Sequence, residues 1–232
     1  MDRQKEASPK KVIDADVVLL MDSNKRHIDA ESFWDKTWKI RVATAEELES
    51  VIHRFDFSKV KHIIISTGTN DTDSRNADSI FSDLVKGADI LTRKYSSKVY
   101  VSQLPPRKME KKETVKKVNF LIANGIKEGV NVIMQDNLSE KHLHDEKHIR
   151  KNCLWILVEN MTNKIREVMG LPPVNRTNAP PSPREKSPGR QTPGKRTSMP
   201  PTAVTQIIGI MEQSQKMMLQ NMREMMMQCL GT

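Results

Sequence analysis

The chain has 232 residues, enough for one ordinary domain with an appendage, and it carries a net charge of +9. It has only two cysteines, Cys153 and Cys229, which excludes a disulfide framework, and no apolar stretch approaches the roughly 20 residues of a membrane span. The first residues lack the apolar segment of a signal peptide, so we expect a reducing intracellular compartment, the cytoplasm by default.

Strand-like apolar runs alternate with segments of helical spacing between residues 12 and 169. In chain order the pattern predicts strand 16–21, strand 38–43, helix 44–55, strand 60–66, helix 75–94, strand 98–102, helix 109–128, strand 130–134 and helix 148–169. At the helix over 44–55, Thr44 is the expected cap, with Glu47 three residues later. Strands separated by helices pair in parallel through right-handed crossovers. We therefore expect an α/β fold with a sheet covered on both faces.

The composition changes near residue 171. Nine of the twelve prolines lie between Pro172 and Pro201, and residues 171–201 hold six Lys or Arg against Glu185 alone. A basic, proline-rich segment without aromatic residues cannot bury enough apolar surface to fold. We expect a disordered linker there, either a solubilising spacer or a contact for nucleic acid or acidic lipid. The organisation is then a disordered tail at 1–11, a domain at 12–170 and this linker.

Residues 202–230 show a third pattern, with apolar positions spaced alternately by four and three. These positions are Val204, Ile208, Met211, Gln215, Met218, Met222, Met225 and Cys229. The spacing is that of a heptad seam with one polar interruption. We expect an amphipathic, Met-rich helix that associates with a second copy or a partner helix; the alternative is a single helix that folds back onto the domain.

Polar residues follow three of the predicted strands. They are Asp22, Ser23 and Asn24 after 16–21, Gly68, Thr69, Asn70 and Asp71 after 60–66, and Asp145 and His148 after 130–134. The carboxyl ends of parallel strands meet at one edge of the sheet, where ligands of open α/β sheets bind. We expect these clusters to form one site.

The residue types in these clusters are those of acyl transfer. Ser23 supplies a hydroxyl nucleophile, and His148 can take its proton, which contributes on the order of 10² to 10⁴ in rate. Asp145 would orient the imidazole and stabilise its charged form. Asn70 and the backbone N–H of Ser23 would donate to the oxyanion, where losing one donor costs about 3 kcal/mol.

Each cluster also has a purely structural interpretation. Ser23 could cap a helix, and residues 70–71 could form a turn. The neighbouring histidines His142, His144 and His148 could be solvated or could hold a metal ion, although no cysteine partners or second ligand cluster accompany them. Because three clusters with complementary roles fall at three strand ends, we favour one shared site, and we expect no metal and no cofactor.

These residues resemble the SGNH (GDSL-like) hydrolases. The blocks of that family are G-D-S after the first strand, a glycine after the second, G-x-N-D after the third and D-x-x-H before the last helix. Residues 21–23 resemble the first block, 68–71 the third and 145–148 the fourth, over about residues 12–169.

The resemblance implies a three-layer αβα sandwich, with a flavodoxin-like parallel sheet of five strands. It also implies a catalytic triad of Ser23, His148 and Asp145, with Ser23 as the nucleophile, and an oxyanion hole to which Ser23 and Asn70 contribute. The remaining block residues, Asp22, Gly68 and Asp71, would shape the site.

The sequence departs from the family blocks at two glycines. Met21 stands where the first block has glycine, and no glycine occurs from residue 24 to 67. The N–H of Val42, Ala43 or Thr44 would have to replace the donor of the second block. An oxyanion hole short of one donor would make an enzyme about 10² to 10³-fold slower rather than inactive.

A narrower resemblance concerns the runs DSNKRHID, VATAEEL and HIIISTGTND. They are similar to the esterase-like domains carried by the first open reading frame of some animal non-LTR retrotransposons. We therefore expect a serine esterase of retroelement descent that hydrolyses a small or lipid-like ester. The alternative is a catalytically weak or inactive scaffold that binds nucleic acid or partner chains through its basic tail and heptad helix.

Overall fold

The computed structural model of the chain describes residues 10–174. The predicted helix at 202–230, nearly all of the linker and nearly all of the tail at 1–11 lie outside the described residues. The strands are β1 (Lys11–Val12), β2 (Val17–Met21), β3 (Thr37–Arg41), β4 (Phe55–Asp56), β5 (His62–Ser66), β6 (Lys98–Ser102) and β7 (Val130–Ile133). The helices are α1 (Ala30–Phe33), α2 (Leu48–Arg54), α3 (Ala77–Lys94), α4 (Lys112–Gly125) and α5 (Leu154–Val168).

Five strands form one parallel sheet in the order β3-β2-β5-β6-β7. This confirms the predicted five-stranded parallel sheet. In its register Met21, the last residue of β2, lies opposite Arg41 of β3 and Ser66 of β5. A second small sheet, in which β1 pairs with β4, was not predicted.

Two hydrophobic clusters lie on opposite faces of the sheet. Val18 and Leu20 of β2 belong to the cluster that includes side chains of α2, α3 and α4. Val17 and Leu19 belong to the other cluster, which includes side chains of α1 and α5. Successive side chains of a strand point to opposite faces, so a strand between two helical layers is apolar throughout. The predicted three-layer αβα sandwich is confirmed.

The strand order reverses between β2 and β5. The chain passes from β2 outward to β3 and then returns to β5 on the other side of β2. In open α/β sheets this reversal leaves a crevice beyond the carboxyl ends of the two strands. Ser23 follows β2 and Gly68 follows β5, so both lie at the expected binding edge.

Helix α2 begins at Leu48, four residues later than predicted. The Oγ1 of Thr44 accepts the N–H of Glu47 at 3.3 Å, and the Glu47 carboxylate accepts the N–H of Ala43 at 3.0 Å. These bonds resemble those of a capping box, but they close a turn that precedes the helix.

The last helix also begins later than predicted. A 3₁₀ turn at Lys151–Cys153 precedes α5, which starts at Leu154, so His148 lies in a loop and not in the helix. None of the helices within residues 10–174 is long and apolar enough to cross a bilayer.

Candidate active site

Ser23 lies two residues beyond the end of β2, at the first position of a short 3₁₀ helix, Ser23–His27. The turn is capped by Asp22, whose Oδ1 accepts the N–H of Asn24 at 3.1 Å. Because the carboxylate of Asp22 has this role, the hydroxyl of Ser23 is available for another partner. The Ser23 side chain is half-buried at the sheet edge.

His148 lies in a tight loop between β7 and α5, where Leu143 and Ile149 form an isolated antiparallel bridge. The Oδ1 of Asp145 accepts the N–H groups of Lys147 and His148, each at 2.8 Å. Its other oxygen, Oδ2, lies 2.7 Å from the Nδ1 of His148. One carboxylate therefore shapes the loop and orients the imidazole.

The opposite edge of the imidazole faces the serine. The Nε2 of His148 lies 3.1 Å from the Oγ of Ser23, although the two residues are 125 positions apart in the chain. The structure thus brings together Ser23, His148 and Asp145 in one continuous hydrogen-bonded chain. This is the geometry of a nucleophile, a base and an orienting acid.

The acid of this set is held in its charged form. Desolvation acts to raise the pKa of Asp145, but hydrogen bonds from Lys147 and His148 outweigh it and hold that pKa well below the usual range. Asp145 therefore remains a carboxylate throughout the neutral pH range and can stabilise a protonated His148.

Asn24 connects the serine loop to the histidine loop, a role that the sequence did not indicate. Its Oδ1 accepts the N–H of Ile149 at 3.3 Å, and its Nδ2 donates to the Oδ1 of Asp22 at 3.3 Å. Asn24 is buried. It fixes the residue after His148 against the residue before Ser23, which sets the distance between them.

Gly68 gives the loop after β5 its direction. Its φ is +111°, a backbone conformation that residues with a Cβ rarely adopt. A Cβ at this position would also lie 3.1 Å from Cγ2 of Ile80 and 3.3 Å from Cδ2 of Leu104. The backbone conformation therefore favours glycine at residue 68, and a larger residue would also require small shifts of the Ile80 and Leu104 side chains.

Asn70 follows in the same loop and is half-buried. Its Nδ2 donates to the carbonyl oxygen of Ala43 at 2.9 Å. An amide nitrogen carries two hydrogens, so this bond fixes the group and leaves one N–H for a ligand.

The backbone after β3 offers fewer oxyanion donors than the sequence allowed. The N–H of Val42 donates to the carbonyl of Met21 at 2.9 Å, and the N–H of Ala43 donates to Glu47. Of the three expected alternatives, only the N–H of Thr44 has no hydrogen bond to any described residue. Thr44 is the remaining candidate for the missing donor.

Asp71 joins the two loops that carry these donors. Its side chain is fully buried; Oδ2 accepts the N–H of Ala45 at 2.8 Å and Oδ1 accepts from Nη1 of Arg75 at 3.0 Å. The loop after β5 is thereby fixed to the segment after β3, which positions Asn70 against Ala43.

Arg107 supports the same loop and was not found from the sequence. It is buried, and its guanidinium donates to the carbonyl of Thr69 at 3.1 Å and to Oδ1 of Asp73 at 2.6 Å. The ammonium of Lys147 lies 3.5 Å from the other oxygen of Asp73. Asp73 therefore connects the β5 loop to the loop that carries His148.

A cleft of about 350 Å³ opens beside the serine. The residues lining it are Ser23, Asn24, Arg26, His27, His144, Asp145, His148, Ile149 and Lys151. Asn70 belongs to the adjacent loop and does not line this cleft.

The neighbouring histidines of the loop have separate environments. The Nδ1 of His142 accepts the N–H of Ser139 at 3.0 Å, whereas His148 contacts Ser23 and Asp145. Within residues 10–174 no group of three His, Cys, Asp or Glu side chains is arranged to hold a metal ion.

The sequence and the fold were compared with known proteins. No family model matches the sequence, and no curated protein matches it. A G-D-S-L family protein from Desulfitobacterium hafniense is similar in structure, with 14% identity, a TM-score of 0.53 and coverage of 64% of this chain and 98% of that one. A carbohydrate acetylesterase family member from Sinorhizobium meliloti has 12% identity and a TM-score of 0.52, and the match covers 69% of this chain and 100% of that one. A carbohydrate esterase family 3 structure from Talaromyces cellulolyticus has 15% identity and a TM-score of 0.51, and the match covers 66% of this chain and 97% of that one.

The fold is that of the G-D-S-L lipolytic proteins. At these identities the likeness concerns the fold alone, and it confirms the architecture that the SGNH resemblance implied. The likeness to retrotransposon domains stays a prediction.

Asp22, directly after β2, is buried, and we expect the stability of the fold to depend on its ionisation. Burial raises the pKa of this carboxyl in the folded state. A carboxyl whose pKa is higher in the folded state than in the unfolded state stabilises the fold at a pH below its unfolded-state pKa. This stabilisation is lost as the pH rises through its folded-state pKa. We expect Asp22→Asn, which keeps an acceptor for Asn24, to unfold at a higher temperature than the unmodified chain at pH 7.5, with a smaller difference at pH 4.5. Thermal unfolding followed by circular dichroism measures this, and a difference that grows at pH 4.5 would contradict it.

Proposed function

We propose that this chain is an SGNH-type serine ester hydrolase in which Ser23 is the nucleophile, His148 the general base and Asp145 its orienting carboxylate. The observation that carries the proposal is the contact of 3.1 Å between Ser23 Oγ and His148 Nε2, on an imidazole whose other nitrogen contacts Asp145. Serine alone is a poor nucleophile at neutral pH, and an adjacent oriented base is what activates it.

The proposed reaction uses one tautomer of His148, with the hydrogen on Nδ1. With Nδ1–H donated to Asp145, the lone pair of Nε2 faces the Ser23 hydroxyl. The serine oxygen bonds to the ester carbonyl carbon while its proton passes to Nε2, and the imidazolium of His148 then protonates the departing alcohol. Water attacks the acyl-serine by the same route, which releases the acid and restores Ser23.

The oxyanion formed in each step is stabilised by the N–H of Ser23, the second N–H of Asn70 and the N–H of Thr44. Each donor is worth about 10² to 10³ in rate. The N–H of Ala43 already donates to Glu47, and Thr44 carries a side chain that hinders the close approach of an oxyanion to its N–H, so we expect slow turnover.

The substrate in this proposal is a small or lipid-like ester. The cleft of about 350 Å³ is open to solvent and accommodates a short acyl or alcohol group. The neighbours from Sinorhizobium meliloti and Talaromyces cellulolyticus are described as a carbohydrate acetylesterase family member and a carbohydrate esterase family 3 protein, so acetylated carbohydrates belong among the esters to test.

The test is hydrolysis of p-nitrophenyl acetate by the purified chain. We expect measurable turnover that Ser23→Ala abolishes, since the acyl-enzyme can no longer form. Ser82→Ala is the matched control, because Ser82 is an exposed serine on α3. Equal rates for the Ser23→Ala and Ser82→Ala proteins would refute the assignment.

A second candidate is a catalytically weak scaffold of retroelement descent that binds nucleic acid through its basic segment. The observation that favours it is the hydrogen bond from the N–H of Ala43 to Glu47, which removes one of the three N–H groups that could replace the donor of the second block. This candidate requires salt-sensitive binding of RNA or DNA that disappears when residues 171–232 are deleted. Binding that survives the deletion would show that residues 171–232 are not the nucleic-acid contact. A monomeric mass by light scattering would contradict association through the heptad positions.

A further inference from the structure

Two permanently charged cations, Arg26 and Lys151, line the cleft beside Ser23. His27 and His144 also belong to the lining. Asp145 is the one carboxylate among the described residues of the lining, and its oxygens already accept three hydrogen bonds. The cleft therefore presents positive charge that the triad does not use.

The two permanent cations enter this lining from the two segments that carry the triad. Arg26 lies three residues after Ser23 on the same 3₁₀ helix, and Lys151 lies three residues after His148. Both side chains are exposed, and no salt bridge within residues 10–174 involves either of them. Cations that converge on a cleft without an acidic partner raise the local concentration of anions there.

We propose that the substrate of this site carries an anionic group, a carboxylate or phosphate, close to the scissile ester, and that Arg26 and Lys151 bind it. This inference rests on the proposed esterase function. The inference distinguishes this site from one that binds only neutral esters, because neither cation attracts a neutral acyl or alcohol group.

The expected size of the effect follows from exposed charge pairs. One solvent-exposed pair is worth about a twofold to fivefold change in an equilibrium or rate constant, and two cations together give about tenfold. At high ionic strength the preference for the anionic substrate decreases, because the Debye length at about 1 M salt is only about 3 Å and charges farther apart are screened from one another.

The kinetic test compares 4-acetoxybenzoate with methyl 4-acetoxybenzoate, two acetate esters that differ in one charge. Each kcat/KM is divided by the rate constant of the same ester with imidazole, which removes the difference in leaving-group reactivity. We expect the normalised kcat/KM to favour the anionic ester about tenfold at low salt. A preference of the same size in 1 M sodium chloride, or none at low salt, would overturn the inference.

The variants are Arg26→Gln, Lys151→Gln and the double substitution. We expect the ratio of anionic to neutral kcat/KM to fall severalfold in each single variant and to approach one in the double variant. Lys59→Gln is the matched control, because Lys59 is exposed in the turn before β5, at the opposite edge of the sheet, and its ratio should equal that of the unmodified chain. A double variant with an unchanged ratio would overturn the assignment of these two residues.

Binding to the Ser23→Ala protein separates this inference from the esterase proposal. Titration calorimetry with the same two esters needs no catalysis, and we expect tighter binding of 4-acetoxybenzoate that Arg26→Gln and Lys151→Gln weaken. If the unmodified chain hydrolyses neither ester but this binding preference is present, the anion site stands and the esterase fails. If both esters are hydrolysed with equal normalised efficiency and bind equally, the esterase stands and the anion site fails.

Discussion

Replacing His148 by alanine is expected to lower kcat/KM for p-nitrophenyl acetate by about 10² to 10⁴. The reason is the loss of the base that lies 3.1 Å from Ser23 Oγ. Because nucleophile and base act as a unit, the double variant Ser23→Ala/His148→Ala should be no slower than Ser23→Ala alone. Steady-state kinetics on the three proteins measures this.

Two controls distinguish a catalytic from a structural role for His148. His53→Ala replaces an exposed histidine of α2 whose Nε2 lies 3.8 Å from Oε1 of Glu49, and it should leave kcat/KM unchanged. Added imidazole should restore part of the activity of the His148→Ala protein, after subtraction of the background measured with Ser23→Ala. A His148→Ala protein as active as the His53→Ala protein would contradict the assignment.

Replacing Asp71 by alanine is expected to reduce the free energy of unfolding by about 2 to 4 kcal/mol. The change leaves the N–H of Ala45 without its acceptor and removes one of the two carboxylates that pair with Arg75. Asp71→Asn keeps an oxygen acceptor, so its loss should be smaller. Urea unfolding followed by circular dichroism measures both.

The control for this prediction is Asp136→Ala, which replaces an exposed aspartate in the turn after β7. We expect its free energy of unfolding to stay within about 0.5 kcal/mol of the unmodified chain. If Asp71→Ala were no less stable than Asp136→Ala, the buried connection between the β5 loop and the segment after β3 would not hold the site together.

The sheet could be predicted from sequence because its strands lie between two helical layers. All residues of β2 and of β5 are buried, and such strands appear in the sequence as unbroken apolar runs. The predicted strand 98–102 coincides with β6, and the other four of the large sheet agree within a few residues.

Helix starts were harder to predict because local side-chain to backbone hydrogen bonds can close a turn instead of beginning a helix. Thr44 and Glu47 have the spacing of a helix cap, yet the carboxylate of Glu47 bonds to Ala43 and the helix begins at Leu48. The D-x-x-H spacing fits a helical turn and an aspartate-capped loop equally well. His148 lies in the loop because Asp145 accepts two backbone N–H groups there.

The residues proposed to carry the chemistry were easier to predict from the sequence than the residues that hold them in position. Ser23 and His148 were found because their residue types complement one another at two strand ends. Asn24 and Arg107 were not assigned a role, because what they do depends on backbone groups that only folding brings near, the N–H of Ile149 and the carbonyl of Thr69.

The central claim is that the Ser23 hydroxyl is activated by His148, and a fluorophosphonate probe tests it without knowledge of the natural substrate. We expect peptide mass spectrometry to find one adduct, on Ser23, that is absent from the Ser23→Ala protein, strongly reduced in His148→Ala and unchanged in Ser82→Ala. Absence of an adduct on Ser23, under conditions that fully label a known serine hydrolase in the same tube, would contradict the account.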